Sequence, residues 1–190
     1  MVKPKIPASV FNSIITTNYP KAKGNVKLFF DSCFADIIAK AKITDYQSRA
    51  QATGEMFEHA FEYLIKRHGV ILQKDIKIKA ACMMGAGALD FGIVRESKIL
   101  CGIEAKGSSS VVSVRPALKR TDTAKKAIAQ AYQFKRIYPE IPFYVVTNVM
   151  PTAGNAKCML DLAKGNIIDD VVDLTDSKQL NTFVATLKAI

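Results

Sequence analysis

The sequence predicts an α/β layered domain around a mixed sheet, on three observations. Residues 25–42, 48–68 and 123–138 repeat apolar side chains at steps of three and four, the spacing of one helix face. Residues 88–94 and 99–106 are strand-like, and the polar Arg95-Glu96-Ser97-Lys98 between them reads as the turn of a hairpin. Residues 143–149 form an apolar, β-branched run after a helix, suited to a strand buried on both faces and reached by a helical crossover.

The elements follow in order. Residues 1–24 are polar and proline-containing, with a short apolar patch at Val10-Phe11 and Ile14-Ile15, and no element is assigned there. The first helix carries its stripe on Leu28, Phe29, Cys33, Ile37, Ile38 and Ala41. The second carries Phe57, Phe61, Leu64 and Ile65, and Gly69 stops it, because glycine enters the left-handed region without steric cost. Residues 70–72 and 76–79 make the first candidate strand, ahead of the hairpin. After the third helix and the buried strand come a short helix near 155–163, a strand near 167–172 and a last helix from Ser177. No internal repeat or low-complexity tract interrupts this order.

Composition bounds the function. The 190 residues suit one domain, long enough to fold without disulfides or metals. With 49% hydrophobic and 23% charged residues, disorder, collagen and coiled coil are excluded. No apolar run approaches the roughly 18–20 residues that cross a bilayer, so no membrane partner is expected. The first five residues lack the apolar core of a signal peptide, so a cytoplasmic location is expected. Cys33, Cys82, Cys101 and Cys158 include no C-x-x-C pair, and buried free thiols fit a reducing compartment. His59 and His68, the only histidines, belong to no zinc-type cluster, and both lie in a helix, which disfavours a serine–histidine triad. Against 17 acidic residues stand 27 basic ones, a net charge of +10, which makes a polyanion the natural partner.

The hairpin carries the chemistry. Side chains alternate along a strand, so Glu104 and Lys106 share a face with Leu100 and Gly102. On the other strand Ala88, Asp90, Gly92 and Val94 share one face, and Leu89, Phe91 and Ile93 the other. If the hairpin pivots on Ser97, Asp90 lies opposite Glu104 and Gly92 opposite Gly102. One face then presents Asp90, Glu104 and Lys106 beside two glycines, and the reverse face is wholly apolar. Two opposed carboxylates repel unless neutralised, and a hard divalent cation such as Mg²⁺ neutralises them. A neighbouring lysine can orient a water or stabilise charge building on phosphorus. The plain alternative is a surface ladder in which Lys106 only pairs with its acidic neighbours.

These residues resemble the PD-(D/E)xK nuclease superfamily and, within it, the type II restriction endonucleases. The motif places an acid on one strand, and an acid, any residue and a lysine on the next: here Asp90, then Glu104-Ala105-Lys106. Leu89 stands where the motif's proline would be. The family often adds a glutamate from the preceding helix. The Gly54-x-x-Phe57-Glu58 stretch points to Glu58, with Glu55 one turn earlier as rival, since both share a stripe with Glu62. Gln130 is followed four residues later by Phe134 rather than tyrosine, which disfavours the RecB-like subgroup. The resemblance covers about 48–150, as the catalytic core of a single nuclease domain over 1–190. It leaves 1–47 and 151–190 as flanking recognition or dimerisation elements. It implies a three-layer α/β/α, restriction-endonuclease-like fold with a central mixed sheet. It further implies a prokaryotic cytoplasm, a homodimer on double-stranded DNA, and Mg²⁺ held by Asp90, Glu104 and the Ala105 carbonyl, with Lys106 positioning the attacking water.

Between Lys106 and Arg136 lie eight basic residues and one acid, Asp122. Such an excess beside carboxylates suits phosphate binding. Ser108 and Ser109 could approach a phosphate, Arg115 and Arg120 could reach guanine edges, and Lys119, Lys125 and Lys126 could add charge. The bland reading, that helix lysines merely solvate an outer face, is expected for at least half of them. Gly85-Ala86-Gly87 precedes its strand and so is not a dinucleotide loop. Met83-Met84 suits a base wedge less well than packing, and Thr147-Asn148 lies either near the cleft or at a plain strand end.

Overall fold

The computed structural model describes residues 6–78, 87–109 and 116–190. Cys82, Met83-Met84, Gly85-Ala86, Ser110 and Arg115 lie outside them. Three helices come first: α1 (Ala8–Lys21), α2 (Val26–Lys40) and α3 (Tyr46–Arg67). Strands β1 (Gln73–Ile78), β2 (Gly87–Arg95) and β3 (Lys98–Ala105) follow. A short 3-10 turn at Ala117–Lys119 leads into α4 (Thr121–Ile137), β4 (Phe143–Thr147), α5 (Gly154–Ala163), β5 (Asp170–Asp173) and α6 (Ser177–Ala189). The five strands lie in chain order, β1 to β3 antiparallel and β3 to β5 parallel. Two helical crossovers, through α4 and α5, therefore replace the single one expected.

The first helix corrects the sequence reading, which assigned nothing to residues 1–24. Phe11, Ile14, Ile15 and Asn18 are spaced as one helix face and are all buried. Pro7 forms the N-cap, and Pro20 falls in the last turn, where its missing N–H forgoes one backbone bond. The next two helices begin at side-chain caps: Asn25 accepts from the Leu28 N–H at 2.9 Å, and Asp45 from the Ser48 N–H at 2.9 Å. Gly69, at φ +83°, ends α3 as expected. The α2 stripe is rotated from the one expected: Phe30 and Phe34 are buried, and Leu28 is exposed.

Two cores make three layers. Helices α1, α2, α3 and α6 pack on one face of the sheet, against Phe91, Ile93, Cys101, Ile103, Tyr144, Val146 and Val172. Helices α4 and α5 cover the other, against Ile76, Leu89, Phe143, Val145 and Val171. Successive residues of β4 alternate between the two cores, the pattern of a strand buried on both sides. Cys33 and Cys101 are buried free thiols, but Cys158 is exposed on α5, against expectation. No described helix is long and apolar enough to cross a membrane.

Candidate active site

The hairpin turn is tighter than a Ser97 pivot. Arg95 pairs with Lys98, and Glu96 and Ser97 both take positive φ (49° and 64°), as a two-residue type I′ turn requires. A bulge then shifts the pairing by one, leaving Leu100 unopposed between Ile99 and Cys101. Beyond it Ile93 faces Cys101, Gly92 faces Gly102 and Phe91 faces Ile103, the register that sets Asp90 against Glu104. One part of the facial assignment is overturned. Leu89 packs with the α4 layer, beside Gly102, rather than with Phe91. The alternation breaks at Asp90, opposite the stretch of β1 where Asp75 adopts φ +54°. The glycine pair has its own reason. A Cβ on Gly102 would come within 2.9 Å of Leu89 Cδ1 and 3.2 Å of the Phe134 ring, so its absence lets α4 approach the sheet.

Asp90, Glu104 and Lys106 meet at the end of this hairpin. Asp90 Oδ2 accepts from the Ala105 N–H at 2.8 Å and from Lys106 Nζ at 3.3 Å. Lys106 Nζ also donates to Glu104 Oε1, and it lies 3.4 Å from the Ala105 carbonyl. Glu104 is 1% exposed, and its second oxygen, Oε2, is buried with no hydrogen-bond partner among the described residues. Burial pushes the Glu104 carboxyl up to about 7; Lys106 works against that shift, and Asp90 adds to it. Burial alone would lower the Lys106 pKa, but Glu104 and Asp90 outweigh it and the net shift is upward. Burial is thus the largest single influence on both groups, but at the ammonium the two carboxylates together outweigh it.

From α3, Glu58 enters the same cluster and Glu55 does not. Glu58 Oε2 lies 3.2 Å from Lys74 Nζ, while Glu55 accepts from Gln51 along its own helix. Burial and Asp90 raise the Glu58 pKa, opposed by Lys74 and Lys106. Lys74, whose ammonium sits 5.4 Å from the Phe91 ring centre, is a member of the cluster that sequence reading missed. Its backbone pairs with Phe91, one residue from Asp90, but no sequence pattern predicts that pairing.

The loop after Lys106 is fixed from three sides. Gly107 lies against Phe57 so closely that any Cβ would overlap the ring. Asn148 brackets Ser108, accepting from its N–H at 3.1 Å and donating to its carbonyl at 3.0 Å. Ser108 Oγ accepts from the Ala117 N–H at 3.0 Å. Ser108 thus serves the loop, and Ser109 is buried. Asn148 does not itself line the cleft; it holds Ser108, which does. Lys119, Lys125 and Lys126 are exposed, and Arg120 lines the cleft with Glu58, Lys106 and Ser109. His59 stacks on Phe11 at 4.6 Å, and burial lowers its pKa.

No group of three or more His, Cys, Asp or Glu side chains stands ready to cage a metal among the described residues. Mg²⁺ asks for less: one or two carboxylates, with water and substrate oxygens completing its sphere. Asp90 and Glu104, the latter with an unpartnered buried oxygen, fit that requirement.

No protein-family model matches the chain, and no curated protein matches it. Among solved structures it is similar to the restriction endonuclease PspGI in complex with substrate DNA. The TM-score is 0.60 at 17% identity, over 96% of this chain and 84% of that one. The chain has a restriction-endonuclease-like fold. The likeness includes the flanks, for which the sequence offered no motif.

Proposed function

We propose that the protein is a Mg²⁺-dependent type II restriction endonuclease, cutting double-stranded DNA at a short palindromic sequence as a homodimer. The observation that carries this reading is the cluster of Asp90, Glu104 and Lys106 at the end of a hairpin within a restriction-endonuclease-like fold. The two-fold symmetry of a dimer would match a palindrome and bring one site to each strand. The DNA in the PspGI complex and the net charge of +10 support a nucleic acid substrate.

Asp90, Glu104 and the Ala105 carbonyl are the groups that would hold Mg²⁺, which when bound supplies charge neutralisation at the phosphoryl group. Lys106 is held by acceptors on three sides. Its ammonium orients the attacking water and stabilises charge on the phosphoryl oxygens. Water attacks phosphorus in line and the 3′-oxygen leaves, giving a 5′-phosphate and a 3′-hydroxyl. Glu58, steadied by Lys74, borders the cleft and orders its water.

The test is incubation with unmethylated plasmid and phage DNA, with Mg²⁺ or with EDTA. Discrete fragments with Mg²⁺ alone are expected, and sequencing their ends gives the target. A smear would contradict site specificity, and intact DNA in every lane would contradict the reading.

A further inference from the structure

We infer that Arg120 and Tyr46 clamp a DNA phosphate at the mouth of the cleft, and that Asp122 occupies Arg120 until DNA displaces it. The clamp rests on the nuclease reading of the same site. The cleft holds about 260 Å³ and is lined by Thr53 and Gly54 of α3 and by Lys106, Ser108 and Thr123. Arg120 and Tyr46 both line it, from the start of α4 and the first turn of α3.

Arg120 presents a two-pronged fork. Nε donates to Asp122 Oδ1 at 3.0 Å, and Nη2 to Oδ2 at 2.8 Å. That is the geometry in which a guanidinium also takes a phosphate. The pair is exposed, 42% for Arg120 and 55% for Asp122, so water and salt screen it and a phosphate can compete with the carboxylate for the guanidinium. Tyr46, half-exposed, interacts with Arg120, and its hydroxyl can donate to the same phosphate. Asp122 is the one acid between Lys106 and Arg136, and it pairs with a cation that lines the cleft. Its position in the first turn of α4 also stabilises that helix, so losing it weakens the fold slightly. Weakened folding cannot account for a gain in affinity.

Anisotropy of a labelled DNA duplex, titrated in EDTA across a salt series, tests the clamp without cleavage. Arg120→Ala should weaken binding and lower the salt slope by about 0.9, the share of one phosphate. Asp122→Asn should tighten binding about two- to fivefold, the range of an exposed ion pair. That gain should vanish in the Arg120→Ala background, because the carboxylate then has nothing to withhold. A gain that persists there would mean simple charge repulsion and would overturn the clamp, as would no gain from Asp122→Asn. Failure of the parent protein to bind any duplex would overturn the nuclease reading itself.

Discussion

Burial raises the Glu104 pKa to about 7 from the ordinary 4.5 of a glutamate. A carboxyl raised in the folded state binds its proton more tightly there than in the unfolded chain. Its stabilisation is complete below about pH 4.5 and is lost as the pH rises through 7. Glu58 shifts the same way for the same first reason. The Lys106 pKa is raised too, and the stability it contributes is lost only in the far alkaline range. In EDTA, the urea midpoint of the parent protein should therefore fall as the pH is raised from 4.5 through 7. Glu104→Gln, a neutral isostere, should flatten that fall. Mg²⁺ should restore the parent's midpoint above pH 7 and leave that of Glu104→Gln unmoved, since only the parent offers an ionised pair to the cation. At this scale the meeting of Asp90, Glu104 and Lys106 was legible because the register assumed from Ser97 sets Asp90 against Glu104 and alternation along the second strand puts Lys106 on the face of Glu104. Glu55 and Glu58 share one helix stripe, so only the position of Lys74 separates them. Lys74 itself was not legible, because its role depends on a pairing between strands that no local pattern records.

Between elements, the hairpin shows how a correct register can follow from an inexact turn. A Ser97 pivot and a two-residue turn differ by one residue, and the bulge at Leu100 restores the difference. Since Glu96 and Ser97 both carry left-handed strain, Ser97→Gly should stabilise the protein by about 1 kcal/mol, read as a higher melting temperature with the site undisturbed. Gly102→Ala should act oppositely. Its methyl would press on Leu89, Phe143 and Phe134, a destabilisation of about 1–3 kcal/mol by overpacking, seen as a lower urea midpoint. The first helix went unread because its prolines dominate the local sequence and its buried face includes the polar Asn18. That residue is satisfied only in the fold, donating to the Ile14 carbonyl and to Asp36 at 2.8 Å. The second helix was found but its face was rotated, because Phe30 and Phe34 fall beside the stripe that spacing alone favours.

For the whole molecule, the three layers follow from apolar residues on both faces of β4 and on one face of each covering helix. Those patterns are local, and so the fold class is readable in the sequence. The parts that were not readable depend on contacts across the chain, such as the bracket from Asn148 to Ser108 and the passage of Gly107 beneath Phe57. On the proposed function, this architecture holds Asp90, Glu104 and Lys106 together as one phosphodiesterase site. The most direct measurement is single-turnover cleavage of plasmid DNA by the parent, Lys106→Ala and Glu104→Gln, with circular dichroism to verify that each is folded. The account predicts cutting by the parent with Mg²⁺ and a loss of at least about 100-fold in each variant. Cutting at the parent's rate by either folded variant would contradict it.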